Sequence, residues 1–280
     1  MRAHLGTDNQ PTKDGKGRMG SEEAQGKLWG AEADGWASHE VNHSPLFEAM
    51  MSATGIGSGK HVLDIGCGAG HSTALIKASG ASVIGVDAAQ GLVDYANKTF
   101  AGVDFRVGGM EDMAFGDDEF DVVFAANAVQ YAADLETALR ELKRVCKPGG
   151  LVVAGLFGPP DGVAYKPVLQ ALGQFMPKPP PGGKPGGPFR LSAPGVLEAS
   201  FASAGIEVSD TGETNCVFEY GGWDDFWTGT RAAGPTQMAI GLAGLEAVEE
   251  ATRKAVEPLI AEDGSITFDP NVFVFVVGNA

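Results

Sequence analysis

Cysteine is scarce. Cys67, Cys146 and Cys216 are spread over 280 residues with no C-x-x-C pair, so neither a disulfide framework nor a thiolate zinc site is indicated. A cytoplasmic location fits that usage. No run approaches the roughly 18 apolar residues of a membrane-spanning helix, and no membrane partner is expected. Positive charge is also short: 20 Lys+Arg face 36 Asp+Glu, a formal net charge of −16, which argues against a nucleic-acid partner. No internal repeat with a period of roughly 20–50 residues is visible. Residues 1–27 lack both a signal-peptide apolar core and strand alternation, and read as a disordered leader. What the chain does have is core-forming material, 44% hydrophobic against 20% charged residues.

Between His61 and Phe157 short apolar runs bounded by Gly and Asp alternate with amphipathic segments, the pattern of βαβ units in a parallel sheet. Strands are expected at His61–Ile65, Ser82–Val86, Val103–Val107, Phe120–Ala125 and Leu151–Leu156. A helix is expected through Leu135, Ala138, Leu139, Leu142, Val145 and Cys146, with Asp134 as N-cap and Pro148-Gly149-Gly150 as its stop. The stretch Pro159 to Phe189, which carries the Pro/Gly tract FMPKPPPGGKPGGPF, reads as a mobile surface excursion. Beyond it a periodic segment spans Ala193–Ala204, an extended run lies near Ile206–Tyr220, two helical stretches fall within Trp223–Ala261, and NVFVFVV is a terminal strand completing the sheet. All four tryptophans, Trp29, Trp36, Trp223 and Trp227, flank the βαβ block, either anchoring peripheral helices or forming an apolar lid.

The string VLDIGCGAG places Gly66, Gly68 and Gly70 after an apolar strand and before a helix, where backbone N–H groups can approach a ligand. A dinucleotide fingerprint needs a third glycine where this chain has His71, and Asp64 puts a carboxylate where a pyrophosphate prefers none. The turn therefore suits a ligand without phosphate. Asp87 ends the next strand, where a carboxylate can take both hydroxyls of a ribose or, alternatively, cap the following helix.

VLDIGCGAG, GVDAAQGLVDYA, GMEDMAFGDDEFDVVFAANAVQY and LKRVCKPGGLVV, in this order and spacing, resemble class I S-adenosylmethionine-dependent methyltransferases over residues 57–157. The similarity is to the bacterial small-molecule branch that includes ubiquinone- and menaquinone-biosynthesis-type enzymes. It implies an α/β, Rossmann-like class I methyltransferase fold: a seven-stranded, mostly parallel sheet with an antiparallel last strand and a helical lid. The methyltransferase domain would span residues 57–280, with an N-terminal helical lid at 28–56 and lid insertions at about 159–190 and 221–261. S-adenosylmethionine is the implied cofactor, bound by the Gly66–Gly70 turn with Asp64, Cys67 and His71 close by, by Asp87 and Ala88, by Met110 and Glu111 at the adenine, and by Asn127. Many relatives carry an acid where this chain has Gly109, so Glu111, Asp112 or backbone and stacking must serve the adenine instead.

The implied activity is methyl transfer to the O, C or N atom of a small-molecule acceptor. The alternative is a non-catalytic subunit that binds S-adenosylmethionine or S-adenosylhomocysteine. His43 is the first candidate base, with His39 and Tyr131 as others; a surface or capping role for His43 stays open. His39-Glu40-Val41-Asn42-His43 also matches the zincin pattern by letter, but it precedes a complete methyltransferase signature, and no metal site is expected. A homodimer is left open.

Overall fold

The computed structural model describes residues 21–177 and 187–280. Residues 21–27 of the expected leader are helical, within α1, which spans Ser21–Trp29. The remainder of the expected leader, residues 1–20, and the middle of the Pro/Gly tract, residues 178–186, lie outside the described residues. After α1 come α2 (Ala33–Glu40), a 3-10 turn at Val41–His43 and α3 (Ser44–Thr54). The βαβ block follows: β1 (His61–Ile65), α4 (His71–Ala78), β2 (Ser82–Asp87), α5 (Gln90–Thr99), β3 (Asp104–Val107), β4 (Phe120–Ala126), α6 (Leu135–Val145) and β5 (Cys146–Phe157).

These strands fall where the apolar runs predict them. Asp134 caps α6 by accepting from the Thr137 N–H at 3.1 Å. The helix stops at Val145 and β5 begins at Cys146, ahead of Pro148. The second half contains α7 (Lys166–Gly173), α8 (Val196–Ser203), β6 (Glu207–Asn215), β7 (Phe218–Tyr220), α9 (Trp223–Ala232), α10 (Gly234–Ala243), α11 (Leu245–Val256), β8 (Ile266–Phe268) and β9 (Val272–Asn279). Three helices, not two, occupy the 223–261 region, because Gly234-Pro235 restarts the chain as a new helix and Gly244, at φ 87°, interrupts it again.

The main sheet has seven strands in the order β3-β2-β1-β4-β5-β9-β6. β1 to β5 pair in parallel, while β9 runs antiparallel to both neighbours. The terminal strand thus completes the sheet by insertion between β5 and β6 rather than at an edge. β4 is buried on both faces: Val122 and Phe124 enter one apolar cluster with Leu46 and Met50 of α3, and Val123 and Ala125 enter another with Leu139 and Leu142 of α6. Strand order reverses between β1 and β4, and a sheet of this kind opens a crevice at that switch point, beyond the strand C-termini.

α1 and α2 line that crevice, with α9 packed on α2 and α10 on α1. Glu32, just ahead of α2, accepts from Arg231 of α9 at 2.8 Å. Fully buried Asn271 connects this cap to the sheet: its Oδ1 accepts from the Tyr165 N–H at 2.9 Å and its Nδ2 donates to the Phe268 carbonyl at 3.0 Å. Asn271→Ala leaves both groups buried without a partner and should lower stability by about 2–4 kcal/mol in denaturant unfolding; an unchanged midpoint would show that the cap does not depend on this side chain.

Candidate functional site

The turn after β1 is held to β2 by its own backbone. The Gly66 and Cys67 N–H groups both donate to the Val86 carbonyl, at 2.7 and 3.1 Å. Gly66 and Gly68 have φ of 74° and 58°, and a Cβ at Gly68 would drive into the Glu40 carboxylate. Asp87 closes β2 beside this turn, with Oδ2 accepting from the Gly68 N–H and Oδ1 from the Ala89 N–H, both at 2.9 Å. A carboxylate has about four lone-pair positions, so both oxygens keep acceptor capacity for a ligand.

A cleft of about 800 Å³, counting its open mouth, lies over these residues. It is lined by eight of the residues expected from the sequence: His43, Gly66, Gly68, Asp87, Ala88, Met110, Asn127 and Tyr131. Asn127 adopts a left-handed φ of 52°, a conformation asparagine tolerates, as the chain leaves β4. The other five are near the cleft but not in its lining. Cys67 is a buried filler whose thiol burial pushes well up in pKa. Gly70 backs onto the Phe105 ring. Glu111 accepts from the Ala133 and Asp134 N–H groups at 2.7 and 3.0 Å through Oε1, which staples a loop. The His71 ring turns to the Ser44 hydroxyl at 2.8 Å. Asp64 sits behind the cleft, its Oδ2 accepting from Ser72 and Thr73 hydroxyls at 2.6 Å each, while its buried Oδ1 has no partner among the described residues.

Glu40 is the residue that sequence reasoning missed. It is 5% exposed, and its two oxygens accept from the Ala69 and His71 N–H groups at 3.2 Å. A side chain from the cap therefore fills the anion seat at the start of α4, the place a pyrophosphate would use. The only sequence signal was an acid flanked by Trp36 and His43, and there it read as part of a zincin-like string. The zincin reading has no geometric support: Glu40 faces the glycine turn, His39 Nδ1 bonds the Tyr220 hydroxyl at 2.7 Å, and His43 Nδ1 faces the Glu40 carbonyl at 3.3 Å. Among the described residues no group of three or more His, Cys, Asp or Glu is arranged to hold a metal ion.

Among the described residues the lining contains Glu22, Glu40 and Asp87 but no lysine or arginine. Burial raises the Glu40 carboxyl to about 8 and Asp64 to about 6, each acid being further raised by acidic neighbours, and it raises Asp87 as well. Burial also lowers His43 to about 4 and His39 to about 3, so both rings are neutral near pH 7. Tyr131 is moved the other way: burial raises its phenol pKa, which makes it a hydrogen-bond donor and removes it as a base candidate. The tryptophans divide. Trp29 and Trp36 meet edge to face at 4.6 Å and line the cleft, whereas Trp223 stacks on Trp227 and carries the Arg253 guanidinium 3.9 Å from its ring, away from it.

The comparisons with known proteins agree with this geometry. Residues 63–154 match the methyltransferase domain family. A malonyl-[acyl-carrier protein] O-methyltransferase of Yersinia pestis is 39% identical over 92 residues, 33% of this chain and 34% of the relative. A demethylmenaquinone methyltransferase of Clavibacter sepedonicus is 35% identical over 106 residues, 37% of this chain and 43% of the relative. The chain thus spans between a third and a half of the length of these curated relatives. Among solved structures, the YcgJ protein of Bacillus subtilis superposes with a TM-score of 0.54 at 23% identity, covering 83% of this chain and 97% of that one. The [4+2]-cyclase SpnF superposes at 0.53 with 18% identity, covering 84% and 79%. These two likenesses establish the fold.

A carboxyl whose folded pKa lies above its unfolded value favours the fold below the unfolded pKa and loses that contribution as pH rises through the folded one. For Glu40 the window runs from its ordinary 4.5 to about 8. His39 and His43 act oppositely, but only below their ordinary 6.5. Between pH 6.5 and 8 the ligand-free protein should therefore lose stability, by at most about 1.4 kcal/mol per pH unit from this one group, and Glu40→Gln should flatten the slope. Equal slopes for the two proteins in urea melts would contradict the placement of Glu40.

Proposed function

Starting from the methyltransferase domain in residues 63–154, we propose that the protein transfers a methyl group from S-adenosylmethionine to a small-molecule acceptor. The observation that carries this reading is the acid-rich lining, without lysine or arginine among the described residues, around a glycine turn whose anion seat is already filled by Glu40. A phosphate-bearing dinucleotide meets repulsion there, while a nucleoside with positive charge finds Glu40 and Asp87 in the wall and Asp64 behind it. The residues fit the cofactor piece by piece. Asp87, fixed by two backbone donors, suits the ribose hydroxyls, and Ala88 and Met110 flank an adenine position. Glu22 of α1 stands over Gly109, so an acid at the adenine end can come from the cap rather than from Glu111.

When bound, the sulfonium supplies an electrophilic methyl group, so the protein's task is alignment and exclusion of water. S-adenosylmethionine would supply the methyl group and leave as S-adenosylhomocysteine, while an acceptor O–H would have to give its proton to a residue of the wall. His43 is the group placed to take that proton: it is neutral, lines the cleft, and with Nδ1 directed at the Glu40 carbonyl has Nε2 available to an acceptor. Its imidazolium would form as the sulfonium charge disappears, beside acids that have just lost their cation. Trp29, Trp36 and Tyr131 form the apolar walls that keep water out. A non-catalytic cofactor-binding subunit would need no proton-accepting wall residue and no acceptor cavity.

Calorimetric titration tests this. S-adenosylmethionine and S-adenosylhomocysteine should bind and NAD should not, and Asp87→Ala should weaken the first tenfold or more, from loss of a charge-assisted bond worth about 1.5–3 kcal/mol. Binding of NAD in place of the sulfonium compound, or an Asp87→Ala affinity equal to the parent's, would overturn the reading.

A further inference from the structure

The seat at the start of α4 has no backbone donor left for a second anion. Every backbone N–H from Gly66 to His71 is taken: Gly66 and Cys67 donate to the Val86 carbonyl, Gly68 to Asp87, Gly70 to the Cys67 carbonyl at 3.0 Å, and Ala69 and His71 to Glu40. The side chains beside the seat are turned away as well. The Ser72 and Thr73 hydroxyls both donate to Asp64 Oδ2, and His71 Nε2 meets the Ser44 hydroxyl, which itself donates to the Val41 carbonyl at 2.6 Å. The Trp36 indole N–H does reach this spot, but Glu40 Oε1 lies there too: both atoms crowd the position a Cβ would take at Gly68.

These contacts bear on one end of the cofactor. S-adenosylmethionine carries a sulfonium, an α-ammonium and an α-carboxylate. Its two cations find Glu40 and Asp87 in the wall and, behind it, Asp64, whose buried Oδ1 has no partner among the described residues. The carboxylate meets a seat already occupied by another carboxyl group, with one neutral indole N–H beside it. A carboxylate drawn out of water toward a like charge, with its donors already engaged, loses more than it gains. A tail that ends in an ammonium alone meets no such repulsion.

We propose that the cleft selects its cofactor by positive charge alone, and that an adenosyl sulfonium whose tail lacks the carboxylate, with a 3-aminopropyl arm in place of the aminocarboxypropyl one, binds more tightly than S-adenosylmethionine. This deepens the methyl-donor reading and rests on it. The nucleoside end, which Asp87 suits, is common to both compounds, so the difference between them reports on the seat that Glu40 fills.

Calorimetric titration of the full chain near neutral pH tests the assignment, with S-adenosylmethionine, S-adenosylhomocysteine and the decarboxylated form of each. In the parent protein each decarboxylated compound should bind about tenfold or more tightly than its carboxylated counterpart. The sulfonium and thioether pairs should agree in direction, because the carboxylate is the group removed from both. Glu40→Gln should narrow both gaps, and the parent comparison decides without the variant if that protein fails to fold. S-adenosylmethionine binding as tightly as its decarboxylated form, or more tightly, overturns the proposal, and so does a gap that Glu40→Gln leaves unchanged. Failure of the cofactor reading looks different: none of the four compounds binds.

Discussion

Glu40 and Asp64 are buried, and Asp87 half-buried, around one glycine-rich turn, with no lysine or arginine in the adjoining cleft among the described residues. Taking carboxylates out of water is costly unless a partner or a proton neutralises them, and here the hydrogen-bond donors are backbone amides and two hydroxyls. The ligand-free site accordingly holds protons that ordinary carboxyls would have released, and Asp64 keeps one oxygen without a partner among the described residues. An organic cation resolves this strain where a phosphate would aggravate it.

The fold brings these groups together from far apart in the chain. Parallel β1 and β2 set Asp64 and Asp87 beside the turn, and the reversal of strand order toward β4 opens the crevice above it. Glu40 arrives from α2, held against α9 by the Glu32–Arg231 pair. The cap that delivers Glu40 also supplies Trp29 and Trp36 to the cleft.

The βαβ block was legible because its signals are local. The strand at His61–Ile65, the Asp134 cap and the glycine turn each depend on a few adjacent residues whose chemistry leaves little choice. The cap was not legible to the same degree. Glu40 acts on amides some thirty residues away, and nothing in HEVNH says which way its carboxylate points. His71 sits next to the glycine turn, yet Ser44 draws its ring aside. Glu111 falls within the adenine motif, but the amides of Ala133 and Asp134 claim it. The region after Phe157 carries weaker periodicity, so α7 was taken for part of a surface excursion although Val168 and Leu172 are buried.

The central claim, that the site is an acid cluster awaiting a cation, is tested most directly by counting protons. Near pH 7 Glu40 is largely protonated without ligand, and a bound sulfonium favours its ionised form. Titrating S-adenosylmethionine at that pH in two buffers of different ionisation enthalpy should reveal release of up to about one proton per ligand, lost in Glu40→Gln. Proton uptake, or an identical binding enthalpy in both buffers, would contradict the account.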